Sequence, residues 1–247
     1  MNIGLFTILI ERIREDVADR LETKTGQLLL IGVIASLFVP LFSNGYSLDV
    51  AIQLLIFILV VTSWNFVAGY FGILTFVHAA LFGIGGYSAA ILAAEFAVPG
   101  VLGVFTAGLI AAVFSLPMAL SLLNLRGAYV SMLTIAYAEI IYYAAIMLRG
   151  ITGGPTGYSG FPVLFGGDRV ALYYFVLVTV GVLVTIQYLF AINRFGLVAR
   201  AIRESEEAAQ MLGNNTRRYK VVGFVFGSSL AGIAGGLQAF NIRIISP

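Results

Sequence analysis

The sequence predicts an all-α protein, a polytopic transmembrane bundle of about seven spans packed through small side chains. Three observations predict it. Hydrophobic residues make up 60% of the 247 and charged residues 11%, with a mean hydropathy of +0.99; a soluble domain carries about a quarter charged residues. The apolar residues also fall into stretches near the ~20 residues that cross a bilayer as a helix, separated by short Gly-, Pro- or Asn-containing turns. Finally, the cations are sorted between alternate connections rather than spread along the chain.

Residues 1–26 open with a short apolar run and continue as a mixed-charge helix, with Ile13, Val17 and Leu21 on one face. This segment reads as an amphipathic helix, either lying in the membrane interface or solvated. Its charged run precedes any long apolar segment, unlike a signal peptide. Residues 27–247 read as one transmembrane domain. The first span covers roughly 27–42 and ends near Pro40. The second covers 48–68, with Trp64 placed as an interfacial aromatic. The third covers 71–96 and is rich in small residues, with pairs such as Ala79 and Gly83 four apart. The fourth covers 101–123 and contains Pro117. The fifth covers 128–148 and carries Glu139. An irregular loop follows over 149–169, with seven glycines and two prolines, and the sixth span covers 170–192. The seventh covers 221–240 and is again rich in Gly and Ala.

Between the sixth and seventh spans lies the one long polar connection, residues 193–220. Its centre, 197–212, lacks Gly and Pro and predicts a helix whose stripe is Leu197, Ala201, Ala208, Met211 and Leu212. Gly213, Asn214 and Asn215 form its stop.

With seven spans, one side of the membrane holds the N-terminal segment, the turn at Arg126 and the 193–220 stretch. These carry eleven of the fourteen lysines and arginines; Arg149, Arg169 and Arg243 fall on the other side. The positive-inside rule makes the first side cytoplasmic, which places the N-terminus and 193–220 in the cytoplasm and 149–169 outside.

The chemistry available is narrow. Without cysteine there are no disulfides, thiolate metal sites or Cys nucleophiles. One histidine and scattered carboxylates make a poor zinc site. TGGPTGYSG has no Lys after its glycines, so it is no P-loop, and neither GxSxG nor HExxH occurs. No catalysis and no nucleic-acid binding are expected of this chain, and no cofactor bound by it. Glu139, mid-span, is costly in lipid and therefore a functional candidate, or else a carboxyl hydrogen-bonded to a neighbouring helix. His78 reads first as an interhelical hydrogen-bond donor and second as a proton relay with Glu139. With Gly83 and Gly86, these residues are the candidates to line a translocation path.

Four segments point the same way: LTFVHAALFGIGGYSAAIL over 74–92, LRGAYVSMLTIAYAEIIYY over 125–143, TGGPTGYSGFP over 152–162, and RFGLVARAIRESEEAAQMLGNNTRRYK over 194–220. In content, order and spacing the chain resembles the membrane permeases of branched-chain amino acid ABC importers, specifically their LivM-like half. The first ~70 residues match only loosely. In such importers a cytoplasmic loop with the pattern E-A-A-x-x-x-G meets the ATPase. The resemblance maps it onto Glu207, Ala208, Ala209 and Gly213, flanked by Arg200, Arg203 and Glu204. The distal Pro of the broader motif is absent. The family also has further spans beyond the point where this chain ends, at Pro247. The resemblance implies cytoplasmic ATP-binding subunits that carry ATP and Mg, and a second permease that is LivH-like or a copy of this chain. It also implies an extracytoplasmic substrate-binding protein and residence in the cell membrane. The alternatives are a urea or short-amide permease of the same kind and an ion-coupled secondary transporter using Glu139 and His78.

Overall fold

The computed structural model describes residues 35–125 and 127–247, together with Gly32. The chain divides into a unit ending at Leu48 and a second from Asp49 to Pro247. In the first unit residues 35–42 are helical. The amphipathic segment expected over 1–26, and most of the span expected from 27, fall outside the described residues.

The second unit is built from helices. α1 (Gly45–Phe71, its first turn before the unit boundary), α2 (His78–Glu95), α3 (Gly100–Ser121), α4 (Ala128–Met147) and α5 (Arg169–Ile192) are followed by two short helices, α6 (Arg194–Glu204) and α7 (Glu206–Met211), and by α8 (Thr216–Ile242). Among the described residues α1, α3 with its terminal turn to Asn124, α4, α5 and α8 are long and apolar enough to cross a membrane. The two strands, β1 (Tyr158–Ser159) and β2 (Ile244–Ile245), pair antiparallel with Tyr158 opposite Ile245. They join the Gly-rich loop to the segment after α8.

Three boundaries differ from the sequence reading, each for a local reason. The span expected over 71–96 begins only at His78. Gly72 takes a left-handed φ of +68°, which ends α1, and six residues run without helix before α2. The single helix expected over 197–212 breaks at Ser205. Its extended backbone (φ −156°, ψ 109°) lets its side chain accept from the Ala208 amide and start a new helix. The last span begins five residues early because the Asn215 side chain caps it, accepting from the Arg218 amide.

α8 is the axis of the bundle, wedged between α2 and α3. Its small-residue face permits this. A Cβ on Gly235 would land on the Phe82 carbonyl oxygen, and one on Gly85 would land on the carbonyl of Gly232. On the other side, a Cβ on Gly108 would stand 2.9 Å from the Ser229 carbonyl and one on Gly236 3.2 Å from the Val104 Cα. In hydrocarbon, lipid tails are as apolar as leucine, so it is this backbone-to-backbone contact that holds the helices together. The outer surface carries Leu54, Leu109, Val113 and Ile140, all exposed, as an apolar solvent would have it.

Candidate functional site

The polar stretch folds into a platform across one end of the bundle. α5 ends at Ile192, and the chain turns so tightly that a Cβ on Gly196 would meet the Ala191 carbonyl. α6 then lies against the helix ends. Val198, Ala199 and Ile202 are its buried face, and the Phe195 ring stacks on Phe66 with centroids 6.4 Å apart. The stripe read from the sequence differs: Leu197 is 60% exposed, and the inward face sits one residue on.

Two arginines fasten α6. Arg200 donates through Nη2 to the Ala191 carbonyl at 3.3 Å, and Arg203 through Nη1 to the Gly69 carbonyl at 2.7 Å. These oxygens belong to the last turns of α5 and α1. There carbonyls lack helical partners and the helix dipole is negative, so a guanidinium is favoured twice over. Arg203→Ala should therefore loosen the platform, lowering stability by about 1–2 kcal/mol. Thermal unfolding of the purified protein measures this, and an unchanged midpoint would show the contact to be idle.

α7 is tied to α8 instead. Lys220 Nζ lies 2.7 Å from Glu206 Oε2, and both side chains are largely buried. Gln210 Nε2 donates to Thr216 Oγ1 at 2.8 Å, and Thr216 Oγ1 donates to Glu206 Oε1 at 3.4 Å. Its C-terminus closes with paired bonds, Gly213 N to Gln210 O at 2.9 Å and Asn214 N to Ala209 O at 3.3 Å. Gly213 takes φ +78° as that motif requires, and it stands where the sequence places the stop. Ala209 faces inward onto Val198 and Ile202. Outward, Glu207, Ala208 and Gly213 are exposed, beside Met211 at 88% and Leu212 at 79%. Of the residues singled out by the sequence, Glu204, Glu207, Ala208 and Gly213 thus form the outer surface. Ala209, Arg200 and Arg203 turn toward their own chain. The Glu206–Lys220 pair has no signal in the local sequence, since its members lie 14 residues apart on different helices.

Above the platform is the break between α1 and α2. Side chains satisfy its open backbone: Trp64 Nε1 donates to Thr75 O at 2.7 Å, Ser131 Oγ to Leu74 O at 3.1 Å, and Thr134 Oγ1 accepts from Phe76 N at 3.2 Å. Non-helical backbone at membrane depth survives only under such conditions. Trp64 is therefore a strut of the break. A cavity of about 630 Å³ opens between the break, the turn before α4 and the platform, with Gly72, Leu125, Ser131, Ile202, Arg203 and Lys220 among its walls.

His78, the first residue of α2, is buried against Phe224, ring centroids 6.3 Å apart, and the bare backbone of Gly227. Neither ring nitrogen has a hydrogen-bond partner among the described residues, in contrast to the interhelical bond expected. Glu139 is exposed halfway along α4, a helix with only Val130 and Thr134 buried. The structure joins His78 and Glu139 by neither hydrogen bond nor ion pair. Gly83 faces open space, whereas Gly86 presses on α8, a Cβ there standing 3.3 Å from the Gly235 carbonyl.

At the opposite end the Gly-rich loop is pinned. Tyr158 donates to Glu95 Oε1 at 3.0 Å. Burial, then the hydrogen bond and charge of Glu95, raise the Tyr158 hydroxyl above the ordinary phenol range, so it remains a donor at neutral pH.

The family model described as "Branched-chain amino acid transport system / permease component" matches residues 46–247. The high-affinity branched-chain amino acid transport system permease protein LivM of Salmonella typhimurium is 30% identical over 252 residues, covering 89% of this chain and 58% of that protein. The LivM of Escherichia coli is 30% identical over 240 residues, covering 84% of this chain and 56% of that protein. The chain thus spans a little over half the length of these relatives. No solved structure matches.

Proposed function

Because the chain belongs to the branched-chain amino acid transport system permease family, we propose that it is the membrane permease subunit of an ATP-driven importer of branched-chain amino acids. ATP and Mg are held by separate ATP-binding subunits that dock on the platform. A second permease completes the path, and an external binding protein delivers substrate to the end that carries the Gly-rich loop. The platform faces the cytoplasm, as does the N-terminus, and the membrane is the cell membrane. This chain hydrolyses nothing.

The observation that carries the reading is the outer edge of α7. A six-residue helix is capped at its start by Ser205 and at its end by Gly213. It offers a small residue, Ala208, beside two fully offered apolar ones, Met211 and Leu212. Exposed apolar side chains on a short, rigid, polar-rimmed element suit insertion into a partner's groove. The cavity behind the platform, walled by the α1–α2 break, puts a broken segment within reach of whatever moves it.

The test is uptake into proteoliposomes holding the whole transporter with its binding protein. Leucine, isoleucine and valine should enter on addition of ATP and Mg to the side bearing the platform, with or without an uncoupler. Uptake that persists without ATP and collapses with an uncoupler would restore the ion-coupled reading. Glu139 bears on the same assay. An exposed carboxylate in mid-span needs protein or water beside it, and it fits the translocation path. Glu139→Gln should lower uptake about fivefold at normal expression, the effect of losing roughly 1 kcal/mol; wild-type uptake would leave it a packing role only.

A further inference from the structure

The end of the bundle away from the platform holds a polar cluster. Gln53 Oε1 accepts from Gln238 Nε2 at 3.1 Å and from Asn241 Nδ2 at 3.3 Å. Arg169 Nη1 donates to Asn241 through its backbone oxygen at 3.1 Å and its side-chain oxygen at 3.2 Å. Arg169 Nε lies 3.3 Å from Asp49 Oδ1. Three helices, α1, α5 and α8, are thus joined by two charges and three amides. A cavity of about 330 Å³ opens on the group, walled by Asp49, Val50, Gln53, Arg169, Asn241 and Ile242.

The hydrogen bonding is incomplete. That Asp49 oxygen is buried yet forms no aligned hydrogen bond, and Gln238 Oε1 is buried with no partner. A clasp serving only to hold helices would use these groups, because unmade buried hydrogen bonds are costly. Two opposite charges facing one small cavity also restrict the occupant. A lone anion meets Asp49 and a lone cation meets Arg169. A molecule with both charges on one carbon satisfies each. Val50 and Ile242 supply apolar wall. The volume falls at the lower end of the ~300–1,000 Å³ typical of small-molecule sites.

We infer that this cavity receives the zwitterionic head of an aliphatic α-amino acid, Arg169 taking the carboxylate and Asp49 the ammonium. The amides of Gln53, Gln238 and Asn241 position the guanidinium. The inference rests on the importer reading and places a first contact for substrate at the mouth of this chain.

The test uses the purified whole transporter without its binding protein, irradiated with photo-leucine, with the label mapped by mass spectrometry. Label should fall on peptides around Val50 and Ile242. Excess leucine should suppress it at least about tenfold, whereas isoamylamine and 4-methylpentanoate, each lacking one charge, should not. Arg169→Gln should cut labelling by about tenfold, as loss of a charged hydrogen bond implies. Gln53→Leu, which leaves both charges in place, keeps the test sound if the first variant misfolds, and should weaken labelling less. If wild-type transporter takes up leucine with ATP yet the label falls elsewhere, or single-charge analogues compete equally, the site is overturned and the importer reading stands. If wild-type transporter shows no ATP-driven uptake of any branched-chain amino acid, both fall.

Discussion

Gly235→Val should leave no assembled bundle. The α2–α8 contact is made backbone to backbone, and the first carbon added at Gly235 would occupy the position of the Phe82 carbonyl oxygen and stand 2.9 Å from the Gly86 amide. No rotamer relieves this, because the obstruction is main chain. α8 cannot retreat either, since Gly236 is already close to Val104 and Gly232 to Ala111 on α3. The expected cost exceeds the ~3 kcal/mol that ordinarily bounds overpacking, against a total stability of only about 5–15 kcal/mol. Gly83→Val is the internal control. It lies on α2, the other helix of this contact, with nothing within 4 Å of its would-be Cβ, and it should assemble normally. Size-exclusion profiles and thermal unfolding in detergent compare the two. A monodisperse Gly235→Val protein with an unshifted midpoint would show that the seam does not depend on this contact. Gly83→Val that assembles yet transports poorly would assign that residue to the path.

Ala208→Arg should release the ATP-binding subunits proposed to dock on the platform while leaving the permease folded. The Ala208 side chain is exposed on the outer edge of α7, next to Met211 and Leu212. A long charged side chain there meets no part of its own bundle, but it would enter any groove built for alanine. Truncations and clashes at the centre of an interface cost about 2–4 kcal/mol, so co-purification should fall about a hundredfold or be lost. Ala209→Arg should behave differently. Ala209 is 1% exposed against Val198 and Ile202, so its replacement should disrupt the platform itself and lower the unfolding midpoint. Undiminished co-purification of Ala208→Arg, with ATPase activity intact, would remove α7 as the docking element.

Much of this architecture can be read from apolar block length and turn residues. The helices over 100–121, 128–147 and 169–192 lie within a few residues of where those blocks place them. Gly213 ends its helix because a left-handed residue is needed there and glycine offers it without strain. The break over 72–77 is invisible to hydropathy. It contains no proline, its residues are as apolar as a span, and the side chains that satisfy it come from Trp64, Ser131 and Thr134. Ser205 likewise sits among helix formers and shows itself as a cap only once the backbone has turned. The candidate site is legible in the same uneven way. Local pattern finds the outward edge at Glu207, Ala208 and Gly213. It cannot find that Arg203 reaches a carbonyl 134 residues away, or that Arg169 meets Asn241 across 72 residues. Those partnerships are fixed by how helices converge, not by sequence neighbours.

The fastenings of the polar platform have a kinematic consequence. Its ties run to Gly69 at the end of α1, to Ala191 at the end of α5 and to Lys220 at the start of α8. A force applied at Met211 or Leu212 passes to α8 through the Glu206–Lys220 pair, and to α1 and α5 through α6, against which Ala209 packs.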